Sequence, residues 1–583
     1  MNTAVSDKIS TVKAPSEVEV DWKSLTTIAA LGSLISTITT GYVFGFKNNL
    51  FHLPIVFSLY DEPQFAGDQF IQSLRYFAAG PWLLLRGMGN HVDAYWLFMI
   101  LHLLTRFIAF VGLLACADLL GVRKRTDRLF LTALLCATPL LRGDSLAGGG
   151  GLFINVFAHS EIDIGLTLLA IYFLIRGKIA VGVAFNGLVI FVNAFVGVWN
   201  AVVYVAVISV MLLQRAIPLR KTVFEIAVGT VIAGLLAAPV FWNIATNPEI
   251  GTPLGFDYVS FLEEYWPYHF LFEDVEAFQK LGLLSLTAMG LAAFIQLGKD
   301  GRLFLVAMVA YVAVYCFGII VPYFTHSPAV LNSHLLRVGV MLHLLAALGT
   351  LVLATKWWMN PDPIFARVFS PALILLTCTP MKMSSIQPTI NLTLAGLLIA
   401  GSSSPYVHSI IPQWVVRGRF RLRHFAVFLV TLGLLIVLTR NIILNERSAS
   451  WIAEWKTLGL WAKAETPPNA VFLFPTWNLR GNSRASPLDV VEDEAMSNSA
   501  IFEAMAHRSV FADFRRGAAI MWWPSYYQQW HQRVTEAISL DTYGSKIAYA
   551  KSNGISYLVE VCERHIAAEP AFTTKRLCVY SVN

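Results

Sequence analysis

Apolar runs of roughly membrane-spanning length recur along this chain, and that recurrence constrains its fold more than any single motif. A helix needs about 20 predominantly apolar residues to cross the hydrocarbon of a bilayer, and fewer where neighbouring helices bury its ends. Stretches 24–45, 94–121, 129–142, 162–176, 179–195, 198–214, 222–243, 281–298, 302–324, 336–355, 364–380, 387–402 and 424–443 meet that test. They predict a polytopic α-helical membrane protein of about 13 transmembrane helices. Composition agrees: 14% of residues are charged, where an average soluble domain has about 25%.

Lys and Arg number 43 against 37 Asp and Glu. The basic residues fall in short clusters between apolar runs, as cytoplasmic loops do, which argues against nucleic acid as a partner. Arg123-Lys124-Arg125 with Arg128, Arg176 with Lys178, Arg215 with Arg220 and Lys221, and Arg417, Arg419, Arg421 and Arg423 fall on one side when the spans are counted. Residues 1–23 carry no basic-then-apolar leader, and they form a cytoplasmic tail in this reading. The transmembrane domain is 24–443, with a long first outer loop, 46–93, and an acidic, aromatic outer loop, 244–280. A soluble α/β domain, 444–583, follows on the outer face.

That last region reads as alternating elements. A helix is expected over 450–464 until Pro467-Pro468 stops it, then strands at 470–474, 509–512, 555–561 and 577–582, with helices at 500–507 and 523–538. Such alternation favours a mainly parallel sheet. No phosphate-cradling or nucleophile-elbow motif follows any of the strands. The chain has no C-x-x-C metal spacing; Cys562 and Cys578, on predicted neighbouring strands, are expected to form a disulfide.

Candidate chemistry gathers outside the membrane. Asp61, Glu62 and Asp68 lie in the first outer loop, where a restrained carboxylate can serve as general base toward an acceptor hydroxyl; solvated loop carboxylates are the plainer reading. Amphipathic pieces of that loop are expected to lie along the interface with Trp82 at headgroup level. His102 and Arg106 share a face of the second span, as a cavity-facing pair or a structural one. The loop 143–163 holds Gly148-Gly149-Gly150-Gly151, a mobile or tightly turned backbone, and ends in His159, Glu161 and Asp163. Phe261, Tyr265, Trp266, Tyr268 and His269 with Glu263 and Glu264 suit either a sugar site or an interfacial helix. His334 and Arg337 open the tenth span, where an arginine can fork onto a phosphate or snorkel as an anchor, and His343 follows.

Many spans, a long first outer loop with the acidic pair Asp61-Glu62 just after the first span, short cytoplasmic loops and an outer C-terminal domain together resemble the GT-C type of membrane glycosyltransferase. The tail around Arg508–Arg516, with Trp530 and Arg533, is similar to that of uncharacterised bacterial members of the group. The resemblance implies a polyprenyl-phosphate-linked sugar as donor partner, a lipid, glycan or protein acceptor, and a multi-pass protein of the bacterial inner membrane with a periplasmic C-terminal domain. It implies a catalytic base or acceptor-binding carboxylate at Asp61 or Glu62, and a second acidic site at Glu161 or Asp163. Trp522-Trp523 is followed by Pro524 rather than Asp, so the tripeptide of the oligosaccharyltransferases is missing and bulk transfer to Asn side chains is not expected. No metal ligands or certain cofactor are read from the sequence; a divalent cation, Mg or Mn, stays open. Two other readings stand beside the enzyme: a non-catalytic subunit working with envelope-polysaccharide assembly proteins, and a transporter or flippase of lipid-linked saccharide, against which no internal repeat is found.

Overall fold

The structure is a computed structural model, and it describes residues 20–360, 364–404, 419–475, 498–562 and 568–582. The first nineteen residues of the expected tail, and Arg417, lie outside the described residues.

Helices occupy every one of the apolar stretches, because in lipid the backbone must satisfy its own hydrogen bonds. Seven helices among the described residues are long and apolar enough to cross a membrane: Ala94–Leu119, Ala194–Leu213, Leu219–Ala245, Ala277–Gln296, Arg302–Tyr323, Pro328–Met359 and Leu422–Glu465. Others fall short; Arg125–Ala137 has 13 residues and Ile179–Val192 has 14, roughly 20 Å at 1.5 Å per residue. The expectation of about thirteen spans therefore exceeds what length and composition alone support.

Local chemistry explains where several helices begin. Asp21 caps Trp22–Thr40, accepting from the Ser24 amide. Asp93 caps Ala94–Leu119 by accepting from the amides of Tyr95 and Trp96, and Asp257 caps Tyr258–Tyr265. The helices differ in what covers them. In the apolar window of Leu219–Ala245 only 22% of residues are buried, with Phe224, Val231 and Leu235 exposed, as befits a lipid-facing helix. In that of Pro328–Met359 94% are buried, which makes it the central helix of the bundle.

At one end of the bundle charges pair: Arg128 with Asp118 at 2.6 Å, and Lys356 with Asp300 at 3.5 Å, while Glu225 accepts from the Ile179 amide. At the other end a second hydrophobic core forms. It joins the first long loop (Phe46, Leu53, Trp82), Val156 and Phe157, Tyr258 and Phe261, and the C-terminal region (Trp455, Phe472, Trp530). The predicted outer loops and the C-terminal region are thus built around one shared core.

Two expectations change here. The helix Arg419–Glu465 runs unbroken through the proposed boundary at 443/444, because Asn445-Glu446-Arg447 are tolerated by a helix and nothing breaks it before Pro467. The sheet is mixed rather than mainly parallel. After a short hairpin formed by β1 (Gly143–Asp144) and β2 (Gly151–Leu152), the strands are β3 (Val471–Leu473), β4 (Ser509–Val510), β5 (Tyr557–Val561), β6 (Phe572–Thr573) and β7 (Leu577–Ser581). Their order is β4-β3-β5-β7-β6. The pairs β3–β4 and β3–β5 are parallel, and the pairs of β7 with β5 and β6 are antiparallel. Cys562 and Cys578 are disulfide-bonded, with Cα atoms 5.1 Å apart, where β5 meets β7.

Candidate functional site

The chain enters the central helix through a tight turn, Leu335–Val338, which His334 opens in the left-handed region at φ 50°. That conformation is strained for histidine and persists because its surroundings hold it: the rings of Phe270 and Phe195 pack on the imidazole at 4.6 and 5.9 Å. The Arg337 amide donates to the His334 carbonyl at 2.9 Å. The Arg337 side chain is partly buried, and its Nε is enclosed without a hydrogen-bond partner, as is Nδ1 of His334. Among the described residues Arg337 belongs to no ion pair within 4.0 Å; Asp144 and Asp163 bear on it from farther away. Leaving such an N–H unpaired costs about 1–3 kcal/mol.

The glycine run explains itself against this turn. A Cβ on Gly148 would stand 2.1 Å from the Leu336 carbonyl oxygen, and one on Gly150 2.2 Å from the Val340 side chain. On Gly149 it would stand 2.4 Å from the His269 ring. Gly148 also has φ 96°, which other residues rarely adopt. The run is tightly turned, and it lets the backbone lie directly on the entrance of the central helix.

Two further imidazoles lie within electrostatic reach of Arg337. Nδ1 of His269 lies 3.1 Å from the Gly148 carbonyl oxygen, and a carbonyl only accepts, so Nδ1 carries the proton and Nε2 the lone pair. His159 has the opposite tautomer: the Trp82 indole donates to its Nδ1 at 3.0 Å, leaving the proton on Nε2. Burial, reinforced by the Arg337 charge, pushes His159 down to about 4 and His269 down to about 3. Both rings are therefore neutral at pH 7, one offering a donor and the other an acceptor.

Asp163 is buried and accepts from Asn193 Nδ2 at 3.1 Å. Asn193 sits at the extended break between Ile179–Val192 and Ala194–Leu213. Glu161 and Arg106 form an adjoining buried pair at 3.1 Å. Arg106 also donates to Ser36 Oγ and to the Ile154 carbonyl, and lies over the Phe153 ring. His102 is not its partner; it packs against Tyr42 at 5.2 Å. His343 is structural, bridging the Leu140 carbonyl and the Leu146 amide.

The first-loop carboxylates lie apart from this cluster. Asp61 is exposed and paired with Arg75 and Arg86 at 3.0 and 2.9 Å. Glu62 meets His507 Nδ1 at 2.6 Å and Gln64. Asp68 caps Gln69–Ser73 and lies 3.5 Å from Arg516, which also binds Glu503. Trp82, expected at headgroup level, is fully buried and stacks on His52 at 3.9 Å, because its N–H finds His159 in the interior. The aromatics of 261–266 likewise stack on protein: Phe261, Tyr265 and Trp266 pack around Trp530. Tyr268 differs, being half-exposed beside His269 at 4.1 Å.

Sequence reading singled out Arg337, His334, His159 and Asp163, and the structure brings these together. Asn193 was not singled out, although it is visible as a polar residue interrupting an apolar run, and His269 was read only as the end of the acidic, aromatic stretch 261–269, for a sugar site or an interfacial helix. The cluster does not suit a divalent cation: a guanidinium stands among the imidazoles, and no group of three or more His, Cys, Asp or Glu side chains is placed to hold a metal among the described residues.

No family model and no curated protein matches the chain. Among solved structures it is similar to ArnT from Cupriavidus metallidurans bound to undecaprenyl phosphate, at 12% identity and a TM-score of 0.42, covering 96% of this chain and 98% of that one.

Proposed function

We propose that this chain is a membrane glycosyltransferase that moves a sugar from a polyprenyl-phosphate-linked donor to a lipid, glycan or protein acceptor at the outer face of a bacterial inner membrane. In this reading the chain crosses about thirteen times, the N-terminus is cytoplasmic, and the C-terminal region is periplasmic. The observation that carries it is Arg337: a guanidinium with an enclosed, unsatisfied N–H, set behind a glycine loop among imidazoles at the entrance of the central helix. An unpaired cation in such a place is costly unless a ligand completes it.

The chemistry follows from the cluster. Arg337 forks onto the donor phosphate, with the Nε2–H of His159 as a further donor. Asp163, buried and held by Asn193, takes the proton of the acceptor hydroxyl. The acceptor oxygen bonds to the sugar carbon as the bond from that carbon to the phosphate oxygen breaks, and the charge released gathers on the phosphate facing Arg337. Asp61 and Glu62 were the expected bases; their ion pairs and hydrogen bonds favour shaping the first loop, so the base role passes to Asp163.

The test is transfer and donor binding in proteoliposomes with wild type, Arg337→Lys and Arg337→Ala. Lys keeps the charge and loses the fork, so it should be partly impaired and Ala much more so. An Arg337→Ala protein that binds and turns over like wild type would sink the proposal. Alkaline phosphatase fused after Asn583 tests the orientation and should be active.

A further inference from the structure

The tautomers around Arg337 carry a consequence for which phosphate the site prefers. We infer that the site takes a phosphate monoester together with one proton, shared between a phosphate oxygen and Nε2 of His269, and thereby favours the monoester over a phosphodiester. This rests on the reading of Arg337 as the phosphate anchor, and it concerns the form the lipid phosphate has once the sugar has left.

A diester carries one negative charge and offers only acceptors. Arg337 and the His159 Nε2–H match it, but any oxygen turned toward His269 meets a lone pair, because the Gly148 carbonyl fixes the His269 proton on Nδ1. The Gly148 carbonyl would lose its donor if the ring turned over, and the ring is hemmed in: its Cε1 is 2.4 Å from where a Gly149 Cβ would stand, and the Tyr268 ring lies tilted against it at 4.1 Å. Protonating His269 is opposed by burial and by Arg337. A monoester removes the conflict in either of two equivalent ways. As monoanion it presents a P–OH to Nε2; as dianion it offsets the Arg337 charge and lets the imidazole accept a proton. Both complexes contain one phosphate and one proton.

The groups that face His269 are Arg337 and His334 from the turn before the central helix, and Tyr268 beside it. Asp144 and Asp163 bear on Arg337 and moderate its field. The second ionisation of a phosphate monoester lies near 6. Above about pH 7 the free ligand is therefore a dianion, and binding must take up close to one proton, weakening about tenfold per pH unit. Diester binding stays flat.

The experiment uses the full chain in lipid nanodiscs, with a short polyprenyl phosphate and its methyl ester as the monoester and diester probes. Affinities are measured at pH 6.5, 7.5 and 8.5, and calorimetry in two buffers of different ionisation enthalpy counts the protons. Wild type should bind the monoester more tightly at pH 7.5, take up close to one proton, and lose about tenfold by pH 8.5. His269→Asn keeps an amide N–H for the Gly148 carbonyl and has no atom at Nε2; it should lose the preference, the proton uptake and the pH dependence. Methyl-ester affinity at or above the wild-type value in that variant shows an intact site, as removal of the opposing lone pair requires, and if the variant fails to fold, the wild-type proton count decides alone. Equal binding of both probes with no proton uptake overturns this inference and leaves the phosphate anchor standing. Failure of folded wild type to bind either probe overturns the anchor itself.

Discussion

Replacing Arg337 with Met separates a ligand-binding cation from a structural one. In the free protein the Arg337 Nε is enclosed with no partner, and no carboxylate lies within ion-pair distance among the described residues. The unsatisfied N–H alone costs about 1–3 kcal/mol, and a partly buried guanidinium without an ion-pair partner adds a desolvation cost that an apolar side chain does not carry. Met keeps the length of the stem and removes both penalties, so Arg337→Met should be neutral to stabilising by about 1–3 kcal/mol. For a domain of 150–250 residues that is about 2–4 °C per kcal/mol, and less for a longer chain. A rise of about 1–5 °C in the unfolding midpoint is expected, read by intrinsic tryptophan fluorescence in nanodiscs. The same variant should lose the stabilisation that polyprenyl phosphate gives wild type. An interfacial anchor predicts the opposite pattern. If Arg337→Met melts several degrees lower, or keeps its response to the lipid phosphate, the guanidinium is holding the fold and the argument for an anion site fails.

Gly148→Ala puts a Cβ against the Leu336 carbonyl at a φ of 96°, so it should cost about 1–2 kcal/mol in backbone strain and a similar amount in overpacking; phosphate binding should fall before the melting point does. His159 and His269 are depressed from 6.5 to about 4 and about 3 by burial and then by Arg337, so their contribution is full above pH 6.5 and is lost as pH falls below it. Melts from pH 7 to 5 should decline by up to about 1.4 kcal/mol per unit for each ring, less steeply in His269→Asn; flat melts would show that the rings titrate normally. Arg516→Met strands Glu503 and Asp68, at about 3–5 kcal/mol, and should make the C-terminal region sensitive to limited proteolysis; wild-type resistance would show that the shared core holds without the pair. Cys562→Ser should lose about 3 kcal/mol in non-reducing conditions, an effect that dithiothreitol reproduces in wild type; equal melts with and without the bond count against it.

The positions of the membrane helices were legible because lipid permits few backbone solutions, and apolar length reports them directly. The disulfide was legible because Cys562 follows directly on β5 and Cys578 lies in β7, strands that hydrogen-bond as neighbours with Glu560 opposite Cys578. The unbroken helix Arg419–Glu465 was missed because a change of composition was taken for a boundary, whereas only a breaker ends a helix. Of the site, sequence position marks Arg337 and His334 as polar residues at the mouth of an apolar helix. It cannot report that His269, far along the chain, is brought to Gly148, since that contact depends on how loops fold over the bundle. The glycine run was visible and left two readings open, a mobile backbone or a tightly turned one; the turn at Leu336 shows what the glycines make room for.

The shared core also bears on why the first loop and the C-terminal region are needed by a site that neither contributes to directly. Trp82, from the first loop, sets the His159 tautomer by donating to Nδ1, and its ring is fixed by stacking on His52. The loop that carries Trp82 is in turn held from the C-terminal side: Glu62 by His507, Asp68 by Arg516, and the Ser73 carbonyl by the Trp522 indole at 3.1 Å. Asn332, just before the strained His334, donates to the Met521 carbonyl at 2.8 Å, so the same C-terminal segment also braces the turn that presents Arg337. Each contact fixes a position and adds no group to the reaction. Their joint effect is to hold one donor nitrogen, one acceptor nitrogen and one unpaired guanidinium in fixed relation before a ligand arrives, which is where a rigid site gains over a loop that must order itself on binding.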